Sequence, residues 1–190
     1  MLPHTDALFI GRSTDLATCR ELLSADRCRL LTILGIGGIG KTHAFRAYTN
    51  SHKNVIWLRC EKYWTRKYML QQILKGLGVT SHGMTIIEMM DEIVDRIRKR
   101  GGVVLFIFDQ FNKLRDGVKE MMIPIYNELE GIVGFFISGT NHLKTSFRRG
   151  VRLNKDGYQE MYSRMGRKFL EIKKPSIRDV QAIGQANGLN

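Results

Sequence analysis

The segment Gly35 to Thr42 has the residue types and the spacing needed to hold a nucleoside triphosphate. It reads Gly-Ile-Gly-Gly-Ile-Gly-Lys-Thr, which satisfies the P-loop pattern in full. The glycines allow the backbone to surround phosphate oxygens with N–H donors, and the following helix adds the positive end of its dipole. We expect the Lys41 ammonium to contact the β and γ phosphates and the Thr42 hydroxyl to bind Mg²⁺. The sequence therefore predicts ATP and Mg²⁺ as cofactors. The residues of this segment predicted to bind them are Gly35, Ile36, Gly37, Gly38, Ile39, Gly40, Lys41, Thr42 and His43.

An acidic residue, Asp109, directly follows the apolar run Val103 to Phe108. A carboxylate at the end of a buried strand can hold the hydrated shell of the metal, so Thr42 and Asp109 are the predicted metal-site residues. The next residue is Gln110. At this position, most ATPases with a P-loop and such an aspartate have a glutamate that polarises the attacking water. An amide can orient water but cannot accept its proton, so we predict ATP binding with slow hydrolysis. The sequence leaves open whether Gln110 is natural or introduced.

Strand-like and helix-like segments alternate along the chain, which predicts a parallel sheet covered by helices on both faces. The segments with strand character are 29–34, 54–60, 103–108, 132–137 and 168–172. Helices are expected from Lys41, after Thr65, which can cap the helix that follows it, and from Thr85. The predicted fold is an α/β P-loop NTPase, a three-layer αβα sandwich with a central parallel five-stranded sheet. We place a nucleotide-binding domain at residues 1–174 and the start of an incomplete helical lid at 175–190, where Pro175 marks the boundary.

Charge and apolar patterning limit the classes of partner. The chain has 190 residues, which is enough for one domain, and its formal net charge of +12 favours polyanions such as nucleic acid. No apolar run approaches the roughly 20 residues that span a bilayer, so no membrane contact is expected. The N-terminus has no secretory signal pattern and the cysteines have no metal-ligand spacing. We therefore expect a cytoplasmic protein with reduced thiols.

With the P-loop, Asp109 and the polar residues Thr140 and Asn141 in this order, the chain resembles an AAA+ ATPase. The resemblance implies that Thr140 or Asn141 senses the γ phosphate, with Ser138 a less favoured sensor. The segment from Tyr162 to Arg164 resembles the part of the family that carries the arginine finger, which implies that Arg164 reaches the ATP site of a neighbouring subunit. The resemblance also implies that an N-terminal box lies against the adenine; its residues here are Phe9, Ile10, Gly11 and Arg12.

Within that family, residues 126–169 are most similar to the ATP-dependent helpers of DDE transposases, the group that contains the B protein of phage Mu. The matching features are Tyr126 to Leu129, Ser138 to Thr140, and the basic loop Arg148 to Gly157 before Glu160. The resemblance implies ATP-driven assembly of a homo-oligomeric ring or filament on DNA, recruitment of a transposase, and release on hydrolysis.

Two basic clusters are candidates for binding double-stranded DNA without sequence preference, through phosphates. The first is Lys62, Arg66 and Lys67, beside Tyr63 and Trp64. The second, which could serve DNA or the subunit interface, is Lys144, Arg148, Arg149, Arg152 and Lys155. An alternative remains open, because Gly11-Arg12 and the form of the P-loop also resemble signalling ATPases of the NB-ARC/STAND type, which couple ATP to protein assembly without DNA.

Overall fold

The computed structural model describes residues 18, 21, 30–35, 41–165, 169–172, 177, 178, 181 and 185. Parts of the predicted site therefore lie outside the described residues, namely Ile10, Gly11 and Arg12, and the P-loop residues Ile36, Gly37, Gly38, Ile39 and Gly40. The predicted domain boundary at Pro175 lies outside them as well.

The described residues form a five-stranded sheet in which every pairing is parallel, and helices connect its strands. The strands are β1 (Leu30–Leu34), β2 (Val55–Arg59), β3 (Val104–Asp109), β4 (Val133–Gly139) and β5 (Phe169–Glu171), in the spatial order β2-β3-β4-β1-β5. The helices are α1 (Lys41–Ser51), α2 (Arg66–Gly76), α3 (Ile86–Arg100), α4 (Asp116–Lys119), α5 (Met122–Glu128), α6 (Asn141–Arg152) and α7 (Tyr158–Met165), with a 3-10 turn at Phe111–Lys113. The predicted three-layer αβα fold is confirmed.

The strand order places three strand ends side by side. Every residue of β1 is buried, as expected for a parallel strand covered on both faces. β1 pairs with β4 so that Leu34 lies opposite Gly139, and β3 pairs with β4 so that Phe108 lies opposite Ile137. The carboxyl ends of β1, β3 and β4 therefore meet at one edge of the sheet, which is where ligands bind in open α/β folds.

Two strands extend further than their apolar runs predicted. β3 includes Asp109, which pairs with Arg59, and β4 continues through Ser138 to Gly139. β4 continues because its ladder with β1 includes Ser138, which lies opposite Ile33, and backbone pairing does not depend on the polarity of the side chain. In the same way, β3 continues because Asp109 pairs with Arg59. Both polar residues are consequently held by the sheet itself rather than by a loop.

Capping residues begin the two helices between β2 and β3, and the cap at Thr65 is the predicted one. The Thr65 side chain accepts the N–H of Tyr68 at the start of α2. Thr85 and Glu88 form a reciprocal capping box at the start of α3. Within the described part of the chain, no helix is long and apolar enough to cross a membrane.

Candidate nucleotide-binding site

Asp109 is the centre of the polar cluster at the edge where the three strands end. Its side chain is 1% exposed, and each of its carboxylate oxygens accepts a hydrogen bond. Thr42 Oγ1 donates to Oδ2 over 2.6 Å, and Ser138 Oγ donates to Oδ1 over 3.0 Å. The first turn of α1 and the end of β4 therefore each donate a hydrogen bond to the carboxylate at the end of β3. This arrangement joins the predicted metal-site residues Thr42 and Asp109.

The described ends of the P-loop are held together by a lysine. Lys41 Nζ donates to the carbonyl of Gly35 over 2.8 Å, while the N–H of Gly35 donates to the carbonyl of Gly139 over 3.1 Å. The half-buried Lys41 ammonium thus lies beside the end of β1, at the start of α1. His43 follows within α1. The residue that supplies this positive charge directly precedes Thr42 in the chain.

Gln110 has a left-handed backbone, with φ of 59° and ψ of 36°. Such angles are uncommon outside glycine and cost about 1–2 kcal/mol, and they are concentrated at functional sites. The conformation turns the chain sharply from β3 into the 3-10 turn, and the Gln110 carbonyl accepts the N–H of Lys113 over 2.9 Å. Gln110 is half-buried beside Asp109.

The predicted sensor residues make different contacts in the structure. Ser138, the less favoured candidate, is the one whose hydroxyl contacts Asp109. Thr140 donates its backbone N–H to Asn112 Oδ1 over 3.2 Å, and Asn141 is the exposed first residue of α6. Asn112 was not anticipated, although its position shortly after Asp109 placed it near the end of β3. It connects the end of β4 with the 3-10 turn that follows Gln110.

A second connection leads from Asp109 to the end of β2. The N–H of Cys60 donates to the Asp109 carbonyl over 2.8 Å, and Lys113 Nζ forms an ion pair of 2.7 Å with Glu61. Burial, followed by the charges of Asp109 and Glu61, raises the pKa of the Cys60 thiol far above its usual range. Cys60 is therefore a neutral core residue, and this connection is structural.

Arg164 packs against its own subunit. Its guanidinium carbon lies 5.0 Å from the centre of the Tyr126 ring, and Nε is a buried donor without a partner among the described residues. Asn127 donates to Glu160 over 3.4 Å, so α5 and α7 are in contact. The structure places the predicted arginine finger over the Tyr126 ring of its own subunit.

The two basic clusters differ in how many of their charges are already engaged. Arg66 donates to the Gly117 carbonyl over 2.7 Å and lies 3.5 Å from Glu120. Lys144 pairs with Glu171, and Lys155 pairs with Asp116 over 3.4 Å. The remaining candidates are exposed, and within the described part of the chain they make no hydrogen bond or ion pair; they are Lys62, Lys67, Arg148, Arg149 and Arg152.

Sequence comparisons identify the family. The model of the AAA domain matches residues 24–147. The chain is 28% identical over 163 residues to the Mu-like prophage FluMu DNA transposition protein B of Haemophilus influenzae, with 84% of this chain and 54% of that protein covered. A shorter match, 47% identical over 47 residues, covers 21% of this chain and 4% of an uncharacterized WD repeat-containing protein of Nostoc sp..

Structural comparison agrees on the fold. The ORC1 protein of Aeropyrum pernix, solved in complex with DNA, matches with a TM-score of 0.67 and 17% identity, over 99% of this chain and 50% of that one. The chain thus spans about half the length, or less, of the relatives it matches. Taken with the Asp109 cluster at the strand ends, these matches show that the chain belongs to the AAA domain family of P-loop ATPases and resembles the Mu-like transposition protein B.

Proposed function

We propose that this protein binds ATP with Mg²⁺ and, in that state, assembles on double-stranded DNA as a transposition helper. The observation that carries the nucleotide part is the contact between the Thr42 hydroxyl and the Asp109 carboxylate at the carboxyl edge of the sheet. Both groups offer oxygen, the ligand that Mg²⁺ prefers, and Mg²⁺ keeps waters and phosphate oxygens in its remaining positions. The residues present therefore fit the metal.

The chain's own residues have distinct parts in this proposal. Lys41 supplies a positive charge for the β and γ phosphates, and Thr42 and Asp109 would hold Mg²⁺, which neutralises phosphate charge when bound. The hydrogen bond from Ser138 fixes the orientation of the buried Asp109 carboxylate. Gln110 can hold a water molecule by hydrogen bonds, but its amide cannot take the proton. The proposal is therefore a protein that binds ATP and hydrolyses it slowly.

Changing Gln110 to Glu should raise the rate of hydrolysis. A positioned general base contributes about 10²–10⁴-fold, and we expect a gain of at least about tenfold in phosphate release with DNA and Mg²⁺ present. Gln110→Ala is the matched control, because it has the same backbone constraint without a base. Equal rates for the Glu and Gln proteins, with equal ATP affinity and melting temperature, would contradict the assigned role of position 110.

The DNA part of the proposal is supported by charge. The exposed face of α6 carries Arg148, Arg149 and Arg152, none of which is paired within the described residues. Guanidinium groups left free in this way can bind phosphates without breaking an internal contact. The transposition protein B that the chain resembles is named for DNA transposition, and the ORC1 neighbour was solved with DNA. A transposase is the proposed protein partner.

Arg149→Ala should weaken binding to every duplex sequence alike and reduce the slope of log affinity against log salt by about 0.9, the value for one phosphate contact. Anisotropy titrations at several salt concentrations measure both effects. Arg96→Ala is the matched control, because Arg96 is exposed but already paired with Glu92 over 2.6 Å. An unchanged slope for Arg149→Ala would place the α6 arginines outside the DNA interface.

The oligomer is the remaining part of the proposal. For Arg164 to act in a neighbouring ATP site, its side chain must leave the Tyr126 ring. Because the Arg164 Nε atom is buried, we take the value for a desolvated cation–π contact, about 2 kcal/mol; two charge-assisted bonds to phosphate can exceed it. Assembly can therefore supply the free energy for that movement. The symmetry of the assembly, ring or filament, does not affect this step.

A second candidate function is a signalling switch that uses ATP to drive protein assembly without DNA. The observation that favours it is the form of the P-loop, Gly37 to Thr42, which also resembles the nucleotide switch of signalling ATPases. Affinity for duplex DNA distinguishes the two candidates, because only the transposition helper requires it.

A further inference from the structure

The turn between β2 and α2 presents an aromatic ring to solvent. Tyr63 is 68% exposed, whereas the neighbouring Trp64 is 4% exposed and belongs to the core. Isolated apolar side chains on a surface are ordinary, so exposure alone assigns no role to Tyr63. The surroundings of this ring are what distinguish it.

The backbone under Tyr63 is held from both sides. The N–H of Trp64 donates to the Glu61 carbonyl over 3.1 Å, and the Trp64 ring packs edge-on against Tyr68 at 5.6 Å. Glu61 is fixed by its ion pair with Lys113. The Tyr63 ring itself has a single ring contact within the described residues, an edge contact of 6.0 Å with Tyr68. It is therefore a projecting group on a rigid support.

Two lysines lie close to Tyr63 in the chain, Lys62 directly before it and Lys67 in the first turn of α2. Lys62 and Lys67 are exposed, and within the described part of the structure neither makes a hydrogen bond or an ion pair. An exposed ring with exposed lysines near it in the chain combines the chemistry of a base-stacking contact with that of phosphate contacts. Proteins that deform DNA use apolar side chains in this way, as wedges between base pairs.

We propose that Tyr63 inserts its ring against a base step of the bound duplex, while Lys62 and Lys67 bind the adjoining phosphates. This inference rests on the DNA binding proposed above and goes beyond it, because it makes binding sensitive to how easily a base step unstacks. Sequence would then be sensed through deformability, without hydrogen bonds to base edges.

The test compares affinities for a fully paired duplex and the same duplex with one central mismatch, with ATP and Mg²⁺ present. Unstacking is easier at a mismatch, so we expect the unmodified protein to prefer it by about tenfold. Tyr63→Ala should reduce the preference to about twofold or less, whereas Tyr63→Phe should keep it because stacking needs the ring and not the hydroxyl. Tyr48→Ala is the control, since Tyr48 is exposed near the far end of α1 and stacks on His52.

The outcomes separate the two proposals. If the unmodified protein binds neither duplex, the DNA function fails, and this inference with it. If it binds both and Tyr63→Ala keeps the same preference and affinity, the DNA function stands and the role of Tyr63 is wrong. Loss of assembly by Tyr63→Ala with unchanged DNA affinity would assign the ring to a protein interface and overturn the inference.

The fluorescence of a 2-aminopurine placed in the duplex should increase on binding to Tyr63→Phe but not on binding to Tyr63→Ala.

Discussion

Replacement of Lys41 by alanine should weaken ATP binding at least about 100-fold and leave the fold intact. Hydrogen bonds to charged groups are worth about 1.5–3 kcal/mol each, and Lys41 is expected to contact two phosphates. In the structure its ammonium lies on the Gly35 carbonyl, at the end of β1. The measurement is a titration with a fluorescent ATP analogue, with circular dichroism to verify the fold.

Lys75→Ala is the matched control for this loss, since Lys75 is an exposed lysine in the last turn of α2. Its removal changes net charge by the same amount and should alter ATP affinity less than twofold. An affinity of Lys41→Ala within about threefold of the unmodified protein would show that the P-loop is not the triphosphate site.

Gly150→Ala should destabilise the protein by about 3 kcal/mol, at the upper end of the cost of overpacking a core. A Cβ at Gly150 would lie against Cδ1, Cε1 and Cγ of the Tyr158 ring, closer than the 3.0 Å below which real contacts are essentially never found. The ring cannot easily retreat, because it is buried and in edge contact with Phe147 at 6.0 Å. Urea midpoints measure the loss.

The Tyr158 hydroxyl also resists displacement. Burial, followed by its hydrogen bond to Asp116, raises the pKa of Tyr158 to about 12, so the hydroxyl stays protonated and donates. A double-mutant cycle tests the clash directly: once Tyr158 is alanine, adding Gly150→Ala should cost less than about 0.5 kcal/mol. Gly134→Ala is a second control, since its Cβ would be 3.4 Å from the end of the Leu105 side chain. An equal cost of Gly150→Ala in both backgrounds would exclude the clash.

The sequence was sufficient for the fold and for the proximity of Thr42 and Asp109, because those depend on local patterns. The P-loop lies between a strand and a helix, and an apolar run ends at Asp109, so parallel topology brings them together. Which of Ser138, Thr140 and Asn141 contacts Asp109 was not accessible in this way. It depends on where β4 stops, and that is fixed by its ladder with β1.

Contacts between distant residues were also beyond sequence reasoning. Arg66 and Lys67 are neighbours of the same charge, yet Arg66 is bound to Gly117, 51 residues away, and Lys67 is exposed. The pair Glu61–Lys113 joins positions 52 residues apart. No periodicity or motif encodes such pairs, because they follow from strand order and side-chain reach.

The central claim is that ATP controls DNA binding, and the most direct test is fluorescence anisotropy of a random-sequence duplex titrated with the protein. The titration is made with ATP and Mg²⁺, with ADP, and without nucleotide, at two salt concentrations. We predict tight binding only with ATP, weakened by salt and without a required base sequence. Absence of DNA binding in every condition, with ATP still bound, would contradict the claim and favour the protein-assembly switch.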